Sequence, residues 1–244
     1  MQKVIVIIGP TAVGKTALSI ELATKLNGEI ISADSMQIYK GLDIGTAKLS
    51  AEEMNGIPHH LIDIRSFNET YNAWLFVNDC RKKIDEIFDR NKQPIIVGGT
   101  NLYVSALINN YDFNSGIGEK CYECKHKFEF VVFAVNIEPR ENLYARINKR
   151  VDNMIEQGLL NEVIALKKQG LTKDSQAGKS IGYRELLCYL DNEISLDLAI
   201  EKIKQHSRNF AKRQLTWLRS MKNIFWLDGN DLNNNIQLIT NCLN

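Results

Sequence analysis

The chain has 244 residues, 44% hydrophobic and 24% charged, with a formal net charge of +1. That composition can build a globular core and excludes a disordered or fibrous chain. The near-neutral charge gives no whole-molecule signal for nucleic acid, so any basic surface must be local.

No apolar run approaches the roughly 18 residues that span a bilayer, so no membrane partner is expected. The opening MQKVIVIIGP runs straight into a glycine-rich loop without the small-residue cleavage site of a signal peptide. The five cysteines, Cys80, Cys121, Cys124, Cys188 and Cys242, are odd in number and scattered. That suits reduced thiols better than a disulfide framework, and the expected location is cytoplasmic.

Val4–Ile8 is an apolar, β-branched run that reads as a buried parallel strand. A loop follows, then a helix to about Leu26 and a short strand at Glu29–Ser32. Trp74–Arg90 reads as a helix with Ile84, Ile87 and Phe88 at helical spacing; Gln93 and Pro94 are expected to break it before a strand at Ile95–Val97. Phe130–Val135 and Ile224–Leu227 read as further strands. Between them Leu143, Ile147, Val151, Met154 and Ile155 mark one buried helix face, and Leu196–Lys222 is a second long helix. The asparagine-rich stretch Asn230–Asn235 reads as a solvated turn. Strands alternating with helices predict an α/β fold on a parallel sheet, with a helical C-terminal portion.

Gly9, Pro10, Thr11, Ala12, Val13, Gly14, Lys15 and Thr16 fit G-x-x-x-x-G-K-[ST] between a strand and a helix, the nucleotide- and ATP-binding type of loop. Backbone N–H groups of such a loop and of the helix N-terminus bind anionic oxygens. Lys15 adds a point charge and Thr16 a hydroxyl for Mg²⁺. The loop alone does not set the reaction, since kinases, NTPases and other diphosphate users share it. Neither Ile95–Val97 nor Phe130–Val135 ends in the aspartate that would favour ATP hydrolysis.

After the second strand comes Asp34, where such sheets place ligands. Position alone leaves two readings open: a general base, or a residue that caps a helix or holds Mg²⁺ through water. Here the chain resembles the tRNA dimethylallyltransferase (tRNA isopentenyltransferase) family. The matching pieces are GPTAVGKT at 9–16, DSMQIYKGLDIGTAK at 34–48, PHHLIDI at 58–64, VGGTNLY at 97–103, IGYRE at 181–185 and KRQLTWLR at 212–219. They run nearly end to end in the family's order.

The resemblance implies a P-loop-kinase-like sheet with helices on both faces. It implies transfer of a dimethylallyl group from dimethylallyl diphosphate to N6 of adenosine 37 in tRNA, releasing diphosphate, with Mg²⁺. It makes Asp34 the base and places Thr100 near the reacting amine and the donor; Lys15 joins them in catalysis. Arg146 and Arg150 become candidates for gripping the diphosphate, without a choice between them. Asp34, Ser35, Met36, Gln37, Tyr183, Arg184, Lys212, Arg213 and Arg219 become candidates for contact with the anticodon stem–loop. The expected organisation is one P-loop catalytic domain over 1–244, monomeric, with a helical tRNA-contacting region at about 140–222.

The family's helical insertion after GGTxLY is largely absent near 111–129, because the chain passes from Tyr111 to the strand at Phe130 directly. That short connection holds Cys121, Cys124 and His126. A lone CxxC lacks the four ligands of a closed zinc site, so ordinary thiols are expected. His59 and His60 point in different directions and read as a turn residue and a site-wall residue.

Lys202, Lys204, Arg208, Lys212, Arg213, Arg219 and Lys222 share one predicted helix with a single acid, Glu201. Alone, such a run reads as a solvated face; with the resemblance it reads as a surface for RNA phosphates. Gln214, Trp217 and Leu218 read as packing residues. Prenyl transfer to a free adenine nucleotide is the main alternative, favoured by the missing insertion and disfavoured by intact Asp34-Ser35 and Gly45–Lys48. A small-molecule kinase and an RNA-binding relic with reduced activity are weaker alternatives.

Overall fold

A computed structural model describes residues 1–112, 119–120 and 127–243. In chain order, β1 (Gln2–Ile8) leads through the glycine loop into α1 (Lys15–Leu26) and β2 (Gly28–Ala33). A long run of turns precedes β3 (His59–His60), α2 (Ala73–Asp89), β4 (Gln93–Gly98) and α3 (Asn101–Ile108). A small antiparallel pair, β5 (Tyr111–Asp112) and β6 (Glu119–Lys120), comes before β7 (Phe128–Asn136). Then follow α4 (Arg140–Glu156), α5 (Leu159–Lys168), α6 (Tyr183–Leu190), α7 (Leu196–Ser220), β8 (Phe225–Asp228) and α8 (Leu232–Leu243).

The main sheet has six parallel strands in the order β3-β2-β4-β1-β7-β8. Every residue of Val4–Ile8 and of β2 is buried. Successive strand side chains point to opposite faces, so both faces of the sheet are covered. Each buried Val or Ile contributes about 1.5–3 kcal/mol relative to exposure. The C-terminal ends of β1, β2 and β4 deliver the glycine loop, Asp34 and Thr100 to one edge of the sheet. That is where open parallel sheets bind ligands. The covering wall on this side comes from α4 and α7, the latter about 37 Å long at 1.5 Å per residue.

Several boundaries differ from the sequence reading. Gln93 and Pro94 do not end a helix but open β4. Pro94 has no N–H to give, and it sits just before the β1–β4 register begins at Ile5 and Ile95. The Gln93 side-chain amide serves that end of the sheet instead, donating to the Lys3 carbonyl at 2.9 Å. Asn230–Asn235 is not simply a turn: α8 starts at Leu232, and Asn235 is buried with its Nδ2 donating to the Asp228 carbonyl at 2.6 Å. The short helices α3 and α5 had no counterpart in the periodicity reading. Cys121, Cys124 and His126 lie outside the described residues. Among the described residues no helix is long and apolar enough to cross a membrane.

Candidate active site

Gly14 takes φ 93, a left-handed turn that suits a residue without a Cβ, and Ala12 beside it takes φ 65. These turns end the loop against α1, whose N-terminus has no side-chain cap and no acid in its first turn. Its first N–H groups have no partner within the helix and are free for an anion. The Lys15 ammonium folds back onto the loop, donating to the carbonyls of Gly9 at 2.9 Å and Pro10 at 2.6 Å. Burial, and then the Arg150 cation beside it, push Lys15 down to about 7, with Asp34 opposing.

Lys15 opens into a cavity of about 430 Å³, within the size range of small-molecule sites. Thr11, Thr16, Asp34, Thr100, Arg150 and Arg213 also line it. Arg150 is half-buried, and burial lowers its pKa while the Asp34 carboxylate raises it. Two cations and one carboxylate therefore sense each other at one end of the cavity. The lining also includes an apolar set, Ile147, Val151, Met154, Leu159 and Ile203.

Asp34 uses one oxygen for structure. Its Oδ1 accepts from the backbone N–H of Met36 at 2.8 Å and of Gln37 at 3.3 Å, closing a tight turn. Its Oδ2 has no partner among the described residues and belongs to the same cavity-lining side chain. The turn contacts and the unpartnered oxygen thus fall on different atoms of one carboxylate. Thr100 holds this turn from the end of β4: its Oγ1 accepts from the Ser35 backbone N–H at 3.0 Å and donates to the Ser35 hydroxyl at 3.3 Å. Ser35, Met36 and Gln37 all line the cavity.

Arg146 and Arg150 part company here. Arg146 is exposed and donates to the Asn230 side chain at 2.7 Å, whereas Arg150 faces the cavity. Tyr183 is among the residues that line the cavity, but it is fully buried and its hydroxyl donates to Glu162 Oε1 at 2.5 Å. Arg184, Lys212 and Arg219 are exposed and are not among the residues lining the cavity. Arg213 is, with its guanidinium 5.7 Å from the Phe210 ring centroid.

The basic helix is partly neutralised. Lys204 pairs with Asp152 of α4 at 2.7 Å, Arg219 with Glu138 at 3.5 Å, and Arg208 donates to Asn148 at 2.6 Å. Gln214 is a packing residue, buried and donating to the Gly99 carbonyl at 2.7 Å. The two histidines also separate. His60 lies 2.6 Å from buried Glu29, while His59, kept neutral by burial, lines the cavity. Lys179 and Phe210, both exposed at the cavity, were missed from sequence, and neither carries a local signal that could have flagged it.

Thr16 is exposed at the cavity, and its hydroxyl has no hydrogen-bond partner among the described residues. With the Asp34 carboxylate in the same lining, this donor set fits a hard cation shared with phosphate oxygens. Among the described residues no group of three or more His, Cys, Asp or Glu could build a cage around a metal.

The IPP transferase family model matches residues 37–121 and 114–221. A tRNA dimethylallyltransferase of Anoxybacillus flavithermus is 42% identical over 286 residues, covering 94% of this chain and 91% of the relative. One from Geobacillus kaustophilus is 43% identical over 289 residues, with coverages of 94% and 91%. The crystal structure of a tRNA delta(2)-isopentenylpyrophosphate transferase from Staphylococcus epidermidis superposes with a TM-score of 0.90 at 38% identity, covering 100% of this chain and 99% of that one. A eukaryotic dimethylallyltransferase crystallised while acting on tRNA gives a TM-score of 0.81 at 30% identity, covering 95% of this chain and 75% of that one.

Proposed function

The chain belongs to the IPP transferase family, and we propose that it transfers a dimethylallyl group from dimethylallyl diphosphate to the N6 amine of an adenine beside the anticodon of tRNA. The observation that carries this reading is one cavity lined by Lys15, Arg150, Thr100 and Asp34, with the Asp34 Oδ2 unpartnered among the described residues. An allylic diphosphate needs its leaving charge neutralised, and an aromatic amine must lose a proton as it attacks. The two cations answer the first need and the neighbouring carboxylate the second.

In this mechanism the glycine loop and the N-terminus of α1 bind the diphosphate through backbone N–H groups. Lys15 and Arg150 hold the charge that grows on the leaving group. The apolar wall receives the prenyl chain and excludes water from it. Thr100 fixes the turn that aims Asp34, and Asp34 Oδ2 takes the N6 proton as the new C–N bond forms and the C–O bond to diphosphate breaks. A divalent ion, with Mg²⁺ as our assignment, would be held by the Thr16 hydroxyl and would add positive charge at the diphosphate. The adenine has to leave its stack to enter the cavity, as base chemistry requires.

Arg150 is the arginine we assign to the diphosphate. Arg150→Ala should raise the donor KM by about 10–100-fold, the weight of a charge-assisted hydrogen bond. Arg146→Ala should stay within about twofold of wild type. Equal effects in the two variants would reject the assignment.

The family model matches in two pieces that meet at 114–121, and the relatives' alignments run to 286 and 289 positions against the 244 residues of this chain, which supports a shortened connection there. With less of the clamp, tRNA affinity rests more on cations at the cavity mouth. Of the basic run on α7, Lys204, Arg208 and Arg219 are engaged with α4 and its flank, leaving Lys202, Lys212 and Arg213, of which Arg213 lines the cavity. Arg213→Ala is therefore expected to weaken all tRNAs alike and to flatten log K against log salt by about one unit. An unchanged slope would take Arg213 off the RNA path. A wild type that binds no tRNA at low salt yet prenylates AMP would hand the function to the free-nucleotide alternative.

A further inference from the structure

Glu162 of α5 is not among the residues that line the cavity, yet it ties down one of the cavity's walls. Its Oε2 accepts from the backbone N–H of Asp43 at 3.1 Å and of Ile44 at 2.7 Å. Its Oε1 accepts from the Gly45 N–H at 3.2 Å and from the Tyr183 hydroxyl at 2.5 Å. One carboxylate thus satisfies four donors from two distant segments, three of them consecutive backbone N–H groups. Burial, reinforced by the Glu162 charge, drives the Tyr183 phenol upward, so it remains a donor throughout the working range of pH.

The contact is close packed. A Cβ on Gly45 would lie 2.5 Å from the Tyr183 ring, so the ring lies directly on the backbone of the 43–47 loop. The loop then reaches the site. The Thr46 carbonyl accepts from Gln37 Nε2 at 3.3 Å, and the Ser32 hydroxyl donates to Gln37 Oε1 at 2.9 Å. Gly45, Thr46, Ala47 and Gln37 all line the cavity beside Asp34. The Lys48 ammonium anchors the far end, donating to the Tyr39 carbonyl and to Asp43 and Asp63.

We infer that Glu162 is a positioning residue for the acceptor side of the site: it fixes the 43–47 loop, and through Thr46 the Gln37 side chain, as the wall against which the adenine-bearing strand seats. The inference rests on the function proposed above. It divides the cavity into a donor end built on the glycine loop and an acceptor wall held from behind by α5 and α6.

The test is the KM split in Glu162→Ala, Glu162→Gln and Tyr183→Phe, together with amide hydrogen exchange at Asp43, Ile44 and Gly45. Glu162→Ala should raise the tRNA KM about 10–100-fold, in line with several donors left unpaired, and keep the donor KM within about twofold. The three amides should lose protection. Glu162→Gln retains one oxygen acceptor and should recover part of the loss; Tyr183→Phe should fall between Gln and wild type. Unchanged amide protection and tRNA KM in Glu162→Ala would overturn the inference. So would a parallel rise of both KM values that Gln does not relieve, which is the mark of a general structural role. If Glu162→Ala does not fold, the milder pair decides by the same split. A wild type that transfers no prenyl group refutes the functional reading; stem–loop affinity and amide exchange, compared across the same variants, then decide the positioning role.

Discussion

Asp34→Asn is expected to lower kcat by about 10²–10⁴-fold, the usual weight of a positioned general base, with little change in tRNA affinity. The structure makes asparagine the informative substitution. The side chain uses Oδ1 to accept from Met36 and Gln37, and asparagine keeps an oxygen for both bonds. What it loses is the basic Oδ2, the atom left unpartnered toward the cavity. Asp34→Ala removes both functions and should additionally destabilise the fold by about 1 kcal/mol, the cost of a lost cap. Kinetics over a Mg²⁺ series with both variants separate the roles. A kcat that survives in Asp34→Asn while the metal requirement rises steeply would make Asp34 a metal-holding or capping residue and leave the base unassigned.

Lys15→Ala should lower kcat by about 10²–10³-fold and raise the donor KM as well, because the charge acts on both the bound and the departing diphosphate. The pH dependence gives this lysine its own signature. In the free site Lys15 is held down to about 7, by burial first and by Arg150 second. A bound diphosphate supplies the missing counter-charge and moves the pKa back toward its ordinary value of about 10.4. Binding above pH 7 therefore takes up a proton, and donor affinity falls by up to about tenfold per pH unit until the bound-state pKa is reached. Lys15→Ala should lose that component of the slope. Calorimetry of donor binding in buffers of different ionisation enthalpy reads the proton directly; no uptake at pH 8 would contradict the account. So would robust ATP hydrolysis by a wild type that transfers no prenyl group.

The sheet was legible because its strands are short apolar runs bounded by glycine, proline and polar residues. Val4–Ile8 and Glu29–Ser32 were located within two residues of the observed ends. The helix α4 was legible because Leu143, Ile147, Val151 and Met154 repeat along one buried face. The helix α3 was not, since Tyr103, Val104, Ala106 and Leu107 are buried with no polar stripe to set a period. Pro94 misled for a local reason: a residue that usually ends elements here opens a central strand, at a point where its missing N–H costs nothing in the β1 ladder.

In the site, the glycine loop and Asp34 could be read because their chemistry lies in consecutive residues. Arg146 and Arg150 could not be told apart, because both fit one motif and only the packing of α4 shows which one faces the cavity. The basic run of α7 looked freer than it is, since Asp152 and Glu138 lie far away in sequence. Glu162 was invisible for the same reason: its partners at Asp43, Ile44 and Gly45 are more than a hundred residues away.

The central claim is that one cavity joins a diphosphate donor to an adenine carried by tRNA. The most direct measurement offers the wild-type protein an anticodon stem–loop with adenosine at position 37 and AMP at equal concentration, with labelled dimethylallyl diphosphate and Mg²⁺. The products are then digested and separated as nucleosides. The account predicts label on N6 of the tRNA adenosine, diphosphate released in equal amount, little label on AMP, and loss of both products in Asp34→Asn. Label confined to AMP, or diphosphate released with no prenylated nucleoside, would contradict it.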